Sequence, residues 1–362
     1  MTSPYESRPA RSFWKSGVSE QRPPAIPDLY RKRFALDPEM KIATAGSCFA
    51  QHIARRLRDV GYAVIDKEPA PRLIPPTIAK EYGYGLYSAR YGNVYTVRQL
   101  LQLAREATGS FAPADAVWRK DGRFFDALRP SVEPAGLATE AEVRAHRASH
   151  LKHVAAMLSE LDLLVFTFGL TETWEHKASG TVYPTAPGTI AGDFDPETFG
   201  FRNLTHAETL ADFIAFRELV HGLNPKAKFL VTVSPVPLTA TATEQHVLPA
   251  TVYSKSVLRA VAGELYDRFE DVDYFPSYEI VAAHPSKGAL YEANLRSVAE
   301  SGVDAVMTAF LAAHGAQAVV EDPTERQAAR RAARKARKIA KRGDAKRSDV
   351  VCEEQLLEAF AQ

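Results

Sequence analysis

Short apolar stretches alternate with longer amphipathic ones along most of this chain. Four apolar stretches have the length of β-strands: residues 41–45, 62–65, 161–168 and 227–233. Apolar positions at helical spacing predict helices near residues 48–59, 97–107, 139–160, 206–222, 250–270 and 301–314. Strands that alternate with helices predict a parallel sheet covered on both faces. The expected fold class is therefore α/β, a three-layer doubly wound parallel sheet.

The third apolar stretch carries the strongest signal. Residues 161–168 are almost unbroken in their apolar character, and residues 228–233 are similar, as is typical of central parallel strands that are buried on both faces. Ligands of such sheets bind beyond the carboxyl ends of the strands. Ser47 and the segments 169–172 and 234–237 directly follow predicted strands, so we expect them at one edge of the sheet.

Two segments lack this periodicity. Residues 66–95 and 174–204 are rich in Gly, Pro and Tyr, and we interpret them as long loops that shape a pocket. Residues 1–30, rich in Pro, Arg and Ser, are predicted to form an extended N-terminal arm ahead of a domain over residues 31–320.

The C-terminal residues 321–362 differ from the rest in composition. Residues 325–347 are mainly Ala, Arg and Lys with hardly any acid, and residues 351–360 are acidic and amphipathic. We interpret this part as a basic tail, either helical or disordered. Its charge suits an anionic partner such as RNA, a lipid surface or an acidic protein.

Composition fits one sizeable domain with appendages, since 46% of the 362 residues are hydrophobic and 25% are charged. The formal net charge of +1 argues against the whole chain being an electrostatic binder of nucleic acid. Cys48 and Cys352, far apart in sequence, make neither a disulfide framework nor a zinc set. No signal peptide and no apolar run of about 20 residues is evident, so a cytoplasmic location is expected.

Residues 44–50, Thr-Ala-Gly-Ser-Cys-Phe-Ala, place a hydroxyl in a small-residue turn between a strand and a helix. Backbone N–H groups at the start of a helix favour an anion, so Ser47 in this turn is a candidate nucleophile for acyl transfer. The alternative is a plain tight turn with a helix-capping serine. A thiol nucleophile at Cys48 is disfavoured, because its side chain is expected to point into the packing between helix and sheet.

This seven-residue string resembles the signature of the GSCFA family, a bacterial group related to the SGNH/GDSL-type hydrolases. The resemblance extends from about residue 31 to residue 314, through residues 88–93, 168–172, 253–259 and 274–279. It implies an SGNH/flavodoxin-like fold. It also implies an acyl-ester hydrolase or acyltransferase. The sequence itself gives no hint of a cofactor, and no metal site is expected.

The resemblance further implies an oxyanion hole built from three blocks. The N–H of the nucleophile, a glycine N–H and a third side chain would hold the oxyanion. Gly92 matches the glycine, with the amide of Asn93 beside it, although the two residues are equally explained as an ordinary turn. Thr171 stands where the family relatives carry asparagine, and Glu172 is a candidate ligand for substrate hydroxyls or a solvated carboxylate.

The expected general base is where the sequence departs from the superfamily. An Asp-x-x-His sequence should precede the last helix, but residues 294–297 are Asn-Leu-Arg-Ser. The nearest histidine, His284, is therefore the candidate base, with Asp273, Glu279 or Glu292 as the carboxylate that orients it. Without such a carboxylate, a Ser-His dyad or a site that has lost catalysis remains.

The other histidines are weaker candidates. His52 lies one turn into the helix after Ser47 and is most simply an ordinary helix residue. His146, His150 and His153 have the spacing of metal ligands on a helix, but a solvated face is the favoured interpretation.

Two functions of different class follow. The first is an ester hydrolase or acyltransferase that acts through Ser47 on a small-molecule or carbohydrate ester, since Tyr, Trp174 and carboxylates in the loops suit a sugar. The second is a non-catalytic relative that binds a glycan or a protein partner. A role in nucleic-acid binding through the basic tail is a third and weaker hypothesis.

Overall fold

The computed structural model describes residues 3–21, 26–315 and 352–361. The strands are β1 (Ile42–Gly46), β2 (Val117–Lys120), β3 (Arg123–Asp126), β4 (Leu163–Phe168), β5 (Glu172–His176), β6 (Val182–Tyr183), β7 (Phe199–Asn203), β8 (Lys228–Val233) and β9 (Val272–Phe275). The α-helices are α1 (Phe49–Asp59), α2 (Pro76–Glu81), α3 (Val97–Ala107), α4 (Glu140–Glu160), α5 (His206–Leu223), α6 (Val247–Arg268), α7 (Ser277–Ala282) and α8 (Glu300–His314).

The central sheet has four parallel strands in the order β1-β4-β8-β9. On the side of β1 away from β4, Ile42 forms a parallel bridge with Val64. The segment 62–65 therefore lies at the outer edge of β1. After β1 the chain places the segment 62–65 on one side of that strand, and then places β4, β8 and β9 on the other side. This order confirms the doubly wound α/β fold. The predicted strand 62–65 is reduced to that single bridge, since its chain then turns away and the Lys67 N–H bonds to the Ser88 carbonyl.

Each face of the sheet carries its own core. Along β4, Leu163 and Val165 pack with α1 and α8, whereas Leu164, Phe166 and Phe168 pack with helices α3 to α6. Both faces of the strand are therefore buried, which accounts for its almost continuous apolar sequence. The result is the predicted three-layer arrangement.

The segment 174–204, expected as a long loop, instead forms much of a second sheet. Strands β6, β5 and β7 pair antiparallel in that order, and β2 pairs with β3 in a separate hairpin. Aromatic contacts hold this region, since Trp174 packs edge-on against Phe194 and Phe201 at 5.2 and 5.8 Å between ring centroids. Strands this short, with so many Gly and Pro residues between them, leave little alternation for sequence analysis to detect.

The predicted extended arm contains two short turns within residues 3–21, a 3-10 turn at Ala10–Ser12 and a π-helical turn at Lys15–Ser19. Tyr30 joins the arm to the domain, because its buried hydroxyl donates to Asp273 at 2.8 Å. Residues 321–351 of the predicted basic tail, and the domain boundary at residue 320, lie outside the described residues. The described C-terminal residues include a 3-10 helix at Glu353–Phe360.

A buried charge network joins the small hairpin to α4. Asp126 accepts from Arg129 at 2.7 Å and from Arg147 at 3.0 Å, and all three side chains are under 10% exposed. Burial by itself would raise the pKa of Asp126, but the two guanidinium groups outweigh it and lower that pKa to about 2.

The same network corrects the interpretation of the histidines on α4. His150 is fully buried and its Nδ1 lies 2.6 Å from the Glu68 carboxylate, whereas His146 is exposed near Glu133. Burial lowers the pKa of His150 to about 4. The face is therefore not uniformly solvated, and no group of metal-ligating residues occurs within the described ranges.

Substituting Asp126→Asn should destabilise the fold by about 3 kcal/mol at pH 7, because two buried guanidinium groups lose the carboxylate they share and keep only Glu106 and Glu68 as anionic partners. A carboxyl group whose pKa is lowered on folding contributes stability at high pH and loses it as the pH falls toward the folded value. The difference between wild type and variant should therefore shrink by about 1 kcal/mol between pH 7 and pH 3, as measured by urea unfolding. The exposed Asp193→Asn is the matched control, and a difference that stays constant with pH would contradict the assignment.

Candidate active site

The turn after β1 is built around Gly46. Its φ of +137° is unfavourable for any residue with a side chain, and a Cβ added there would lie 2.5 Å from the Thr167 carbonyl oxygen and 2.7 Å from the Thr167 nitrogen. Glycine thus allows β1 to pass against the end of β4. The next residue, Ser47, donates its N–H to the same carbonyl at 3.2 Å, so this N–H is already bonded within the sheet.

The Ser47 side chain lies at the carboxyl ends of β1 and β4. It is 3% exposed, and its hydroxyl has no hydrogen-bond partner among the described residues. The position that a Cβ on Gly169 would take is 3.1 Å from the Cβ of Ser47, so the two residues are in direct contact. Since the hydroxyl bonds to no helix N–H, the helix-capping alternative has no support here.

Gly92 and Asn93 lie next to this turn. Gly92 has a φ of +70°, and the N–H of Val94 donates to the Gly46 carbonyl at 2.9 Å, which fixes the loop against the end of β1. The buried Asn93 accepts from Gln51 at 3.0 Å and donates its amide N–H groups to the Tyr95 hydroxyl and the Glu353 carboxylate. Its amide therefore already binds an anion.

Thr171 and Glu172 have partners of their own. The fully buried Thr171 hydroxyl donates to Asn203 at 2.6 Å, and the Thr171 N–H donates to the Ser254 hydroxyl at 3.0 Å. The Glu172 carboxylate accepts from the Thr241 hydroxyl at 2.6 Å, and burial raises its pKa. Thr171 thus holds the loop after β4 in place, while Glu172 binds a hydroxyl.

Lys255 is a buried titratable residue near this turn that sequence analysis did not single out. It lies on α6, is 2% exposed, and its Nζ donates to the Gly169 carbonyl at 2.6 Å. Burial lowers its pKa to about 8. A signal was present in the sequence, because Lys255 stands three positions before Leu258 and ten before Leu265, in register with the apolar face of the helix.

His284 is exposed and lies in a 3-10 turn after α7. Its ring stacks on Trp14 at 5.2 Å between centroids, and it forms no hydrogen bond with Ser47. Two of its expected orienting carboxylates are engaged elsewhere, since Asp273 binds Tyr30 and Glu279 binds Arg259 at 2.6 Å. The structure therefore does not bring the predicted nucleophile and the predicted base into contact.

At the place of the expected Asp-x-x-His, residues 294–297 supply the buried, positively charged side chain of Arg296 instead. Asn294 and Ser297 bond to each other at 3.1 Å, while Arg296 is 9% exposed. The Arg296 guanidinium lies 3.2 Å from the Glu354 carboxylate and 4.0 Å from the Cys352 sulfur. The C-terminal residues 352–354 therefore reach the same edge of the sheet as Ser47.

Cys48 is buried, as expected for a residue at the start of α1. The neighbouring thiol of Cys352 and burial raise the pKa of its own thiol. The two cysteines that lie far apart in sequence are neighbours in the fold.

The sequence model of the GSCFA family matches residues 41–310, from β1 through most of α8. The chain belongs to the GSCFA family. The α/β fold described above agrees with the known relation of this family to the SGNH/GDSL-type hydrolases. A comparison with curated protein sequences finds no match.

The family match includes every residue predicted for the site, from Ser47 through Gly92, Asn93, Thr171 and Glu172 to His284. The C-terminal residues that contact Arg296 and Asn93 lie outside it. Within the described residues, no helix is both long enough and apolar enough to cross a membrane.

Replacing Gly46 by alanine should destabilise the fold by about 3 kcal/mol or more, because backbone strain adds to a collision with Thr167. Gly61→Ala is the matched control, since Gly61 also has a positive φ but nothing within 4 Å of an added Cβ. Strain alone should cost it about 1–2 kcal/mol. Equal losses in urea unfolding would show that the contact between β1 and β4 can relax at little cost.

Proposed function

We propose that this protein transfers acyl groups through Ser47, as an ester hydrolase or an O-acyltransferase, with an acylated carbohydrate as its substrate. The observation that carries the proposal is the buried Ser47 hydroxyl, which has no hydrogen-bond partner among the described residues. A buried hydroxyl without a partner is costly, and such costs are concentrated at functional sites. Its position beyond the carboxyl ends of β1 and β4 is where doubly wound sheets bind ligands.

Lys255 is the base that we assign to Ser47. Both side chains lie against Gly169, one at its Cα and the other at its carbonyl oxygen. With a pKa of about 8, roughly a tenth of the lysine side chains are neutral at pH 7 and able to accept a proton. The hydrogen bond between the two groups would form on substrate binding, since catalytic contacts are often long in unliganded sites.

In this mechanism the Ser47 oxygen attacks the ester carbonyl carbon and passes its proton to the Lys255 amine. The carbonyl oxygen becomes negatively charged and accepts hydrogen bonds from the Asn93 amide and the Tyr95 hydroxyl. Collapse expels the alcohol, which takes the proton from Lys255. Water or a sugar hydroxyl then gives its proton to the neutral Lys255 amine and attacks the acyl-serine, and the Ser47 oxygen takes that proton back as the acyl group leaves.

The two donors assigned to the oxyanion already hold an anion. Asn93 and Tyr95 both donate to the Glu353 carboxylate, the latter at 2.7 Å. The carbohydrate part of the proposal is supported by Glu172, which accepts a hydrogen bond from the Thr241 hydroxyl, and by the half-buried Trp174 on β5. Carboxylates and aromatic rings are the groups that sugars contact most readily.

A second function is favoured by a specific observation. Asn294 and Ser297 occupy the place of the usual acid and base, and Glu353 fills the position between Asn93 and Tyr95. A member of the family that binds a glycan or a protein without catalysis would show these features. Covalent labelling of Ser47 separates the two functions.

The reduced wild type should react with a fluorophosphonate, and peptide mapping should find the label on Ser47. Ser47→Ala should abolish labelling, and Lys255→Met should slow it by about 100-fold or more through loss of the base. His284→Ala should leave the rate within about twofold, and the exposed Lys226→Met serves as the matched control.

These variants also separate the alternatives. If His284→Ala lost labelling and Lys255→Met retained it, His284 and not Lys255 would be the base. A wild type that takes no label would remove the activated serine and favour the binding function. Hydrolysis of nitrophenyl esters and of acetylated sugars, measured on the same variants, tests the substrate class.

The labelling rate should rise with pH and level off above a midpoint near 8, because the neutral amine of Lys255 is the active form and accumulates above its pKa of about 8. A histidine base with an ordinary pKa would give a midpoint of about 6.5 instead. A rate measured from pH 5.5 to 9.5 in the wild type and in Lys226→Met decides between them.

A further inference from the structure

The C-terminal segment, residues 352–361, contacts the candidate active site through two acidic side chains. We propose that Asn93, Tyr95 and Ser131 form a carboxylate site, and that the segment fills this site as an intramolecular inhibitor. The inhibition of acyl transfer rests on the proposed function, but the carboxylate site and the docking of the segment do not.

The carboxylate site presents three uncharged donors to Glu353. The carboxylate accepts hydrogen bonds from the Asn93 amide, from the Tyr95 hydroxyl at 2.7 Å and from the Ser131 hydroxyl. Glu353 is 4% exposed, so these bonds replace the ones that water would otherwise provide. Because an ionised carboxylate only accepts hydrogen bonds, three donors that converge on one point fit it well. The site is therefore a receptor for a carboxylate, and the chain supplies its own.

The donors of the carboxylate site are held in place by the domain itself. The Asn93 side-chain oxygen accepts from the Gln51 amide at 3.0 Å, and the Asn93 backbone carbonyl accepts from the Gln99 amide at 3.0 Å. The Gln99 side-chain oxygen in turn accepts from the Tyr95 N–H at 2.9 Å. None of these bonds involves residues 352–361. The donors therefore keep their orientation when the segment leaves, and they can bind another carboxylate.

The carboxylate site lies next to the backbone of Ser47. The Tyr87 hydroxyl is 3.0 Å from the Ser47 carbonyl oxygen, and it also bonds to the Asn93 side-chain oxygen. Gln51, the other partner of that oxygen, lies on the first turn of α1, shortly after Ser47. A carboxylate on these donors occupies the place assigned to the substrate oxyanion. The carboxylic acid released by ester hydrolysis presents the same oxygen atoms, so Glu353 mimics the product.

Glu354 gives the segment a second contact, this time with a cation. Its carboxylate lies 3.2 Å from the Arg296 guanidinium, and the two side chains are 13% and 10% exposed. The low exposure limits screening by water and salt, so the attraction is stronger than that of a pair on the open surface. Arg296 stands at the place of the expected Asp-x-x-His, so the segment covers that part of the candidate active site as well.

The segment is held by its acidic residues and not by an apolar face. Leu356 and Phe360, its large apolar side chains nearest the middle and the end, are 48% and 66% exposed. Undocking therefore exposes little additional apolar surface, and its free-energy cost comes mainly from the polar contacts. A competing carboxylate can replace those contacts at the donors. The segment also lies outside the residues that match the family model, as an inhibitory addition to the family domain would.

Docking is tested by hydrogen exchange of the full chain. Glu353→Gln keeps the size of the side chain and removes its charge, so the backbone amides of residues 353–361 should exchange about tenfold faster than in the wild type. Glu354→Gln should also speed the exchange, through loss of the ion pair with Arg296. Glu358→Gln, at an exposed position of the same segment, is the matched control and should stay within about twofold of the wild type. Equal exchange in the wild type and in Glu353→Gln would overturn the carboxylate site.

Inhibition is tested by fluorophosphonate labelling of Ser47. Glu353→Gln should label about tenfold faster than the wild type, because the site is free in a larger fraction of molecules. An excess of a peptide with the sequence of residues 352–362 should slow the variant again, whereas the same peptide with Glu353→Gln should have little effect. Equal labelling of the wild type and the variant would overturn the inhibitor.

The two experiments separate failure of the inhibitor from failure of the proposed function. If Ser47 takes no label in any form of the protein, the proposed function fails, and the inhibition of acyl transfer fails with it. Hydrogen exchange still decides on the carboxylate site. Faster exchange in Glu353→Gln that the added peptide does not reproduce in the wild type supports a site filled by the chain itself, and equal exchange overturns it.

Discussion

The close approach of two parallel strands is the constraint on which the site depends. Gly46 ends β1 directly against Thr167 of β4, at a distance that a side chain would prevent. This contact brings Ser47 to the start of α1 and next to Gly169, which follows β4. Lys255 on α6 donates a hydrogen bond to the Gly169 carbonyl. Ser47 and Lys255, the two groups assigned to proton transfer, therefore both contact Gly169.

The chemistry of this edge differs from that of a serine-histidine hydrolase in a consistent way. The basic side chains at this edge are the buried Lys255 and Arg296. The expected imidazole, that of His284, does not bond to Ser47. Burial favours the neutral form of the lysine, and it strengthens the attraction between Arg296 and the Glu354 carboxylate. The low exposure of the edge thus serves both the assigned base and the recognition of the C-terminal segment.

The position that accepts Glu353 links the proposed reaction to the C-terminal segment. Donors that stabilise an oxyanion are also donors for a carboxylate, because both ligands present negative oxygen to the same N–H and O–H groups. A chain that carries its own carboxylate can therefore fill the site without any change in the donors.

Local pattern was sufficient for the framework of the fold. The apolar runs and helical spacing predicted β1, β4, β8 and the six long helices to within a few residues, because each element shows its own period in the sequence. The same analysis missed β9 and the small antiparallel strands, which are two to five residues long and depend on aromatic contacts between strands.

The sequence by itself determined the fold class, the family and the turn that carries Ser47, because these depend on neighbouring residues. Only the tertiary structure decided which distant residues lie around that turn. It placed His284 on Trp14, Lys255 beside Gly169 and Glu353 on Asn93, which is 260 positions away. A contact between such distant residues leaves no periodic pattern in the sequence. The free energy of that contact arises from burial and charge pairing, which exist only after the chain has folded.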